Sequence, residues 1–254
     1  MSRLFDVAGR HVLVTGGTKG IGEMMVRGFH EAGAHVYVSS RTAEDCSALA
    51  EELGEHATPV SADASTVEGC RRLAATVAEH TDRLDVLINN AGATWGAELE
   101  DYPDAAWDKV LAINLKGPFH LTVACLPLLR AAASAQRPAR VINIGSVDGM
   151  HVPMWESYAY SASKAAVHQL TRHVGKRLAS DHITVNAIAP GIFPSKMTRF
   201  AFEESGDELI AATPLGRTGE PDDAAGAAIF LASPAASWIT GAVLPVDGGF
   251  VTLQ

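Results

Sequence analysis

The chain has 254 residues, 47% of them hydrophobic and 19% charged, with a formal net charge of −9 at neutral pH. That much apolar material marks a globular chain able to bury a sizeable core, as one large α/β domain or two small ones. Lys and Arg are scattered rather than clustered, which leaves no electrostatic footprint for a polyanion, so nucleic acid is not an expected partner.

The first six residues, Met1 to Asp6, lack an apolar signal core, and no apolar run approaches the ~18 residues of a membrane span. A cytoplasmic protein without a membrane partner is expected. Cys46, Cys70 and Cys125 lie far apart with no Cys-x-x-Cys spacing, so they read as inert thiols rather than a disulfide framework or zinc site. The histidines include no His-Glu-x-x-His pair, and single ones such as His168 and His173 read as packing or surface residues. No metal is expected.

Taken in chain order, short β-branched runs alternate with longer stretches of helical spacing. Strands are expected at 11–14, 35–38, 57–60, 86–88, 141–144, 183–186 and 242–246. Most are continuously apolar, as strands buried on both faces are, and their alternation with helices implies right-handed crossovers. The economical fold is a Rossmann-type doubly wound parallel sheet, with ligands gathered at the carboxyl ends of the strands. No repeat, low-complexity tract or linker divides the chain, so residues 1–254 read as a single domain. Residues 131–139 read as a surface loop. Residues 193–213 interrupt the β/α rhythm and read as an inserted substrate flap.

After the first expected strand comes Thr15-Gly16-Gly17-Thr18-Lys19-Gly20-Ile21-Gly22, opening a helix that runs to about Ala32. Glycines there permit a tight turn and close approach to a pyrophosphate, whose charge is attracted by free N–H groups at the helix start. The second strand ends in Ser39-Ser40-Arg41, with no carboxylate to hold ribose hydroxyls. Arg41, with Lys19 opposite it, suits a 2′-phosphate, so NADP(H) is preferred and NAD(H) stays open.

The ordered set Thr15-Gly16-x-x-x-Gly20-x-Gly22, Asp63, Asn89-Asn90-Ala91-Gly92, Asn114, Ser146, Tyr160-x-x-x-Lys164 and Pro190-Gly191 resembles the short-chain dehydrogenase/reductase family from about residue 8 to the end. The resemblance implies that Asp63 and Ala64 meet the adenine, that Asn90, Ala91 and Gly92 line the ribose side, and that Pro190, Gly191 and Ile192 border the nicotinamide. A family threonine is replaced by Ser195, which keeps a hydroxyl for the carboxamide. Asn114 is implied to position a water that links Lys164 to solvent.

Two tyrosines precede Lys164. Residues four apart lie one above the other on a helix, so Tyr160 shares a face with Lys164, whereas Tyr158 reads as a packing or pocket-wall residue just before the helix. A free phenol titrates near 10; an adjacent ammonium and a positive nicotinamide favour the phenolate, and a shift of about three units equals roughly 4 kcal/mol. In reduction, Tyr160 would protonate a carbonyl oxygen while Ser146 donates a hydrogen bond to it.

Phe193, Met197, Phe200, Phe202, Leu209, Trp95, Met150, Met154 and Trp155 form either an apolar acyl pocket or flap packing and subunit contact. The stretches 94–97, 141–147 and 194–199 resemble 3-oxoacyl-carrier-protein reductases, in particular those of rhamnolipid synthesis. A basic carrier-docking position is replaced by Asp181-His182, although Arg137 matches the other. That leaves a carbonyl or alcohol substrate open, as an acyl thioester, a free ketone or a sugar. The Ala-rich stretch 159–179 and the segment 238–250 resemble surfaces that build homodimers and homotetramers, with core packing as the competing explanation. An NADP(H)-binding sensor without turnover is the non-enzymatic alternative.

Overall fold

The computed structural model describes residues 3–195 and 198–253. All seven apolar runs become strands: β1 His11–Thr15, β2 His35–Ser40, β3 Ala57–Ser61, β4 Val86–Asn89, β5 Ala139–Ile144, β6 Ile183–Pro190 and β7 Val243–Val246. They form one parallel sheet in the order β3-β2-β1-β4-β5-β6-β7. Side chains alternate across it, which explains why the strands are apolar without a break. Val12 and Val14 face one layer with Met25, Phe29 and Leu231, while Leu13 and Leu87 face the other with Leu73, Leu121 and Leu129. Strand order reverses between β1 and β4, which opens a crevice at their carboxyl ends.

Eight α-helices connect the strands: α1 Gly20–Glu31, α2 Ala43–Leu53, α3 Val67–His80, α4 Asp104–Leu111, α5 Gly117–Ala132, α6 Tyr158–Leu178, α7 Arg199–Ala212 and α8 Pro221–Ala232. Ala32 caps α1. The loop expected over 131–139 is shorter, because α5 continues through Ala132 and β5 already begins at Ala139. A π-helical turn, Ala112–Lys116, joins α4 to α5. The resulting 29-residue segment Asp104–Ala132 is long and apolar enough to cross a membrane by length and composition, which the sequence reading overlooked. Leu121, Cys125 and Leu129 of this segment are spent on the core.

Below the sheet, Arg140 of β5 is buried and bonds the Ser233 carbonyl at 3.0 Å and Ser237 Oγ at 3.0 Å, tying the chain after α8 to the sheet. All three cysteines are free and buried, and burial pushes Cys125 up to about 12.

Three imidazoles, His168 buried and His11 and His35 half-buried, are among the fold's acid-sensitive groups. His11 stacks on His35 with ring centroids 5.4 Å apart and pairs through Nδ1 with the Tyr37 hydroxyl at 2.9 Å. Burial lowers the pKa of both, and that of His168 to about 4. Unfolded imidazoles titrate near 6.5, so over this interval the unfolded chain binds more protons than the folded one. The stability these groups confer is complete above pH ~6.5 and is lost as pH falls toward ~4. Urea midpoints should therefore drop between pH 7 and pH 5, and His168→Gln should flatten that slope; an unchanged slope would contradict the assignment.

Candidate active site

Ser146, Tyr160, Lys164 and Asn114 come from three different elements, the end of β5, α6 and a π-helical turn, and meet at the carboxyl end of β5. Ser146 follows β5 and accepts a hydrogen bond on Oγ from the Asp148 backbone N–H at 3.1 Å. Lys164 lies one turn beyond Tyr160 on α6, almost fully buried, and donates from Nζ to the Ile144 carbonyl at 2.7 Å. Its ammonium lies 5.4 Å from the centre of the Tyr160 ring. Asn114, inside the π-helical turn, donates to the Ala93 carbonyl and to Ser163 Oγ, both at 2.9 Å, and accepts from the Ala93 N–H at 2.9 Å. A Cβ at Gly92 would lie 3.2 Å from Asn114 Oδ1 and 3.8 Å from Lys164 Nζ, so both groups border the backbone at Gly92.

Burial sets the charges. Desolvation pushes Tyr160 up to about 12, with Asp148 adding to the rise and a hydrogen bond with Ser146 opposing it. Desolvation brings Lys164 down to about 8, against the pull of Asp148. The lowering of the phenol expected from its lysine is thus reversed by burial.

At the glycine turn, Thr15 is the hub. Its hydroxyl accepts from the N–H groups of Asn90 and Ala91 at 3.0 Å each, and Asn90 Nδ2 donates to the carbonyls of Thr15 and Gly16 at 2.8 and 3.1 Å. A Cβ at Gly22 would fall 2.1 Å from the Gly16 carbonyl oxygen, so helix α1 can start this close to the turn only with glycine there. Thr18 and Gly20 are half-buried on the turn, while Ile21 packs against the core. Ser195 faces the turn, since a Cβ at Gly20 would be 3.2 Å from its own Cβ.

Lys19 forms an ion pair with Asp45 of α2 at 2.6 Å. Arg41 is exposed just past β2. Ser40 instead turns its hydroxyl to the Thr42 carbonyl at 3.0 Å. Asp63 accepts from the N–H and hydroxyl of Ser65, which hold its pKa down, and Ala64 is buried beside it. Pro190 ends β6, and Gly191 N–H continues the ladder to the Val246 carbonyl at 3.0 Å.

A cavity of about 300 Å³ opens in front of Tyr160 and Ser146, mostly apolar and lined also by Thr94, Met154, Trp155, Ile192, Leu209 and Phe250.

A family model described as enoyl-(acyl carrier protein) reductase matches residues 16–251. The rhamnolipids biosynthesis 3-oxoacyl-[acyl-carrier-protein] reductase of Pseudomonas aeruginosa is 48% identical over 254 residues, covering 98% of this chain and 99% of that protein. This chain belongs to the short-chain dehydrogenase/reductase family. Among solved structures of short-chain dehydrogenase/reductases, the Pseudomonas aeruginosa RhlG/NADP active-site complex superposes with a TM-score of 0.93 at 48% identity, covering 98% of this chain and 99% of that one. A gluconate 5-dehydrogenase from Burkholderia cenocepacia, in complex with NADP and tartrate, gives a TM-score of 0.91 at 32% identity with 98% of each chain covered.

Several residues of this short-chain dehydrogenase/reductase sit differently from the sequence expectation. Tyr158 does not precede α6 but opens it; its hydroxyl bonds Glu156 and its ring packs edge-on to Tyr102, outside the main cavity. Phe193 is buried against Gly219, where it supports the cavity from behind rather than lining it. Trp95 lies under Lys109, and Met150 faces an outer groove. Leu209, Met154 and Trp155 do line the cavity. Lys196 and Met197, and the side chains of Phe200 and Phe202, lie outside the described residues. Three residues carried no sequence signal: Asp148 and His151, which line the cavity, and Tyr102, whose hydroxyl accepts from the Ala159 N–H and donates to the Trp95 carbonyl, both at 3.2 Å.

Gly22→Ala tests the turn. The added methyl meets backbone rather than a flexible side chain, so the variant should lose thermal stability and its response to added NADPH in a melting experiment, whereas Gly226→Ala, at a site on α8 open for 4 Å around, should keep that response.

Proposed function

We propose that this protein is an NADP(H)-dependent reductase that converts the ketone of a 3-oxoacyl group to a secondary alcohol. The observation that carries the reading is the convergence of Ser146 and Tyr160 on one mostly apolar cavity, with buried Lys164 behind the tyrosine ring. The 48% identical full-length relative bears the same activity in its name.

The residues present fit the dinucleotide. The Gly22 approach leaves the start of α1 open to a pyrophosphate, β2 ends without a carboxylate, and Arg41 and Lys19 supply positive charge where a 2′-phosphate would lie. When bound, NADPH supplies the hydride. Tyr160 gives its proton to the carbonyl oxygen; its burial keeps the phenol protonated and ready as the acid. Ser146 donates a hydrogen bond to the same oxygen, where negative charge grows. Lys164 stabilises the phenolate that results and holds the ribose, and Asn114 fixes the Ala93 backbone beside it. Two donors aimed at one oxygen suit C=O reduction better than the C=C reduction named in the family description. Residues 193–213 would act as a flap, since Thr198 and Leu209 already line the cavity.

We further propose assembly through α5 and α6. Phe119 and Val123 of α5 are exposed beside a groove of about 250 Å³ that includes Leu170 and Val174 of α6. Phe119→Asp with Val123→Asp should lower the molar mass measured by light scattering, and an unchanged mass would contradict this face.

Turnover is tested by following NADPH absorbance with a 3-oxoacyl ester or thioester. Tyr160→Phe should lower kcat by about 10²–10⁴-fold while NADPH still binds. NADPH binding by wild type, with no oxidation of it on any carbonyl panel, would replace the enzyme with a sensor. Arg41→Ala should narrow the preference for NADPH over NADH by about tenfold.

A further inference from the structure

The cavity in front of Tyr160 carries one carboxylate and, among the described residues that line it, no lysine or arginine. Asp148 occupies the 3-10 turn Val147–Gly149 that follows Ser146, with its backbone N–H fixed on Ser146 Oγ at 3.1 Å. Its side chain is 17% exposed, and the nearest basic group is His151 Nε2, 3.4 Å from Oδ1. The imidazole of His151 is wedged edge-on against Phe250, with ring centroids 5.3 Å apart. Lys164 does not line the cavity, its Nζ donating to the Ile144 carbonyl at 2.7 Å; burial raises the Asp148 pKa, and His151 and the Lys164 charge pull it back toward the carboxylate.

We propose that Asp148 is a specificity-determining residue that restricts the cavity to uncharged carbonyl substrates, admitting acyl esters and thioesters and rejecting ketones that carry a carboxylate. The inference rests on the reductase reading and narrows it to a substrate charge. A substrate carboxylate within a few ångströms of Tyr160 shares a low-dielectric space with the Asp148 carboxylate, and the described lining offers it no Arg or Lys for a paired hydrogen bond. A thioester or ester meets no such penalty, and its chain lies against Met154, Trp155, Leu209 and Phe250.

The experiment compares a 3-oxo-octanoate anion with its methyl ester, by NADPH-coupled kcat/KM and by thermal shift in the presence of NADP. Wild type should favour the ester by at least about tenfold, which one like-charge repulsion at an effective dielectric of about 20 exceeds at any separation under roughly 12 Å. Asp148→Asn should reduce that ratio by about tenfold, chiefly through a gain on the acid, and Asp148→Glu, which keeps the charge, should retain it. Asp148→Ser serves as a second neutral variant if the first fails to fold. An ester-to-acid ratio equal in wild type and both neutral variants would overturn the proposal. If wild type reduces neither compound, the reductase reading falls, while selective stabilisation by the ester in wild type, and by both compounds in the neutral variants, would still support the role of Asp148.

Discussion

The site depends on how closely the chain after β5 lies on the first turns of α6. A Cβ at Gly149 would stand 2.6 Å from the Lys164 carbonyl carbon and 2.6 Å from the Ala165 nitrogen, so a side chain there would lift the loop off the helix. That approach brings Ser146 to Tyr160 and presents the Ile144 carbonyl to Lys164 at 2.7 Å. Removing an ammonium from water costs several kcal/mol, and only close, well-directed acceptors offset it. Ile144 is such an acceptor, and the charge of Asp148 helps from the side. Chemistry and packing therefore share one contact: the helix cannot move away from the strand without returning the lysine to solvent.

Burial acts on the two partners in opposite senses, favouring the neutral form of each. Tyr160 is held as a phenol, the form an exposed tyrosine also takes near neutrality, while Lys164 is drawn toward the free amine. Once the phenol gives up its proton, the phenolate and ammonium become each other's best counter-ions, and their titrations belong to the pair. Asp148 shifts both groups in the same direction, toward the protonated forms. It therefore keeps the phenol protonated but also makes it a weaker acid, so the push toward proton transfer comes from the charge that grows on the acceptor oxygen.

The sheet was legible in the sequence because strands buried on both faces must be apolar throughout, and helices cannot imitate seven such short runs between turn residues. Tyr160 was legible over Tyr158 because helical spacing is local, and the glycine turn because it abuts a strand. What escaped depended on contacts distant in sequence. Lys19 finds Asp45 only because α2 returns beside the glycine turn. Phe193 looked like pocket lining until Gly219 supplied a socket for its ring. Burial, which raises the phenol's pKa and works against the lowering expected from an ammonium and a bound nicotinamide, cannot be read from a four-residue spacing. Asp148 gave no signal at all, since an acidic residue in a loop is ordinarily solvated.

In the reading proposed above, reaction and selectivity are carried by different kinds of structure. Ser146, Tyr160, Lys164 and Asn114 hang from β5, α6 and the π-helical turn, whose positions the core fixes. The selective wall hangs from connections: the segment 147–156, the segment 93–99 and α7. The first two segments meet where Ala97 N–H donates to the Glu156 carbonyl at 3.2 Å, and the Tyr102 hydroxyl holds the Trp95 carbonyl at 3.2 Å. Exchanging residues in that wall changes what enters without moving the proton donor, because no strand register or helix packing is disturbed. A carboxylate at position 148 is tolerated for the same reason. It faces the cavity from a short turn anchored on Ser146, where its charge reaches Tyr160 and the substrate while the sheet beneath stays apolar.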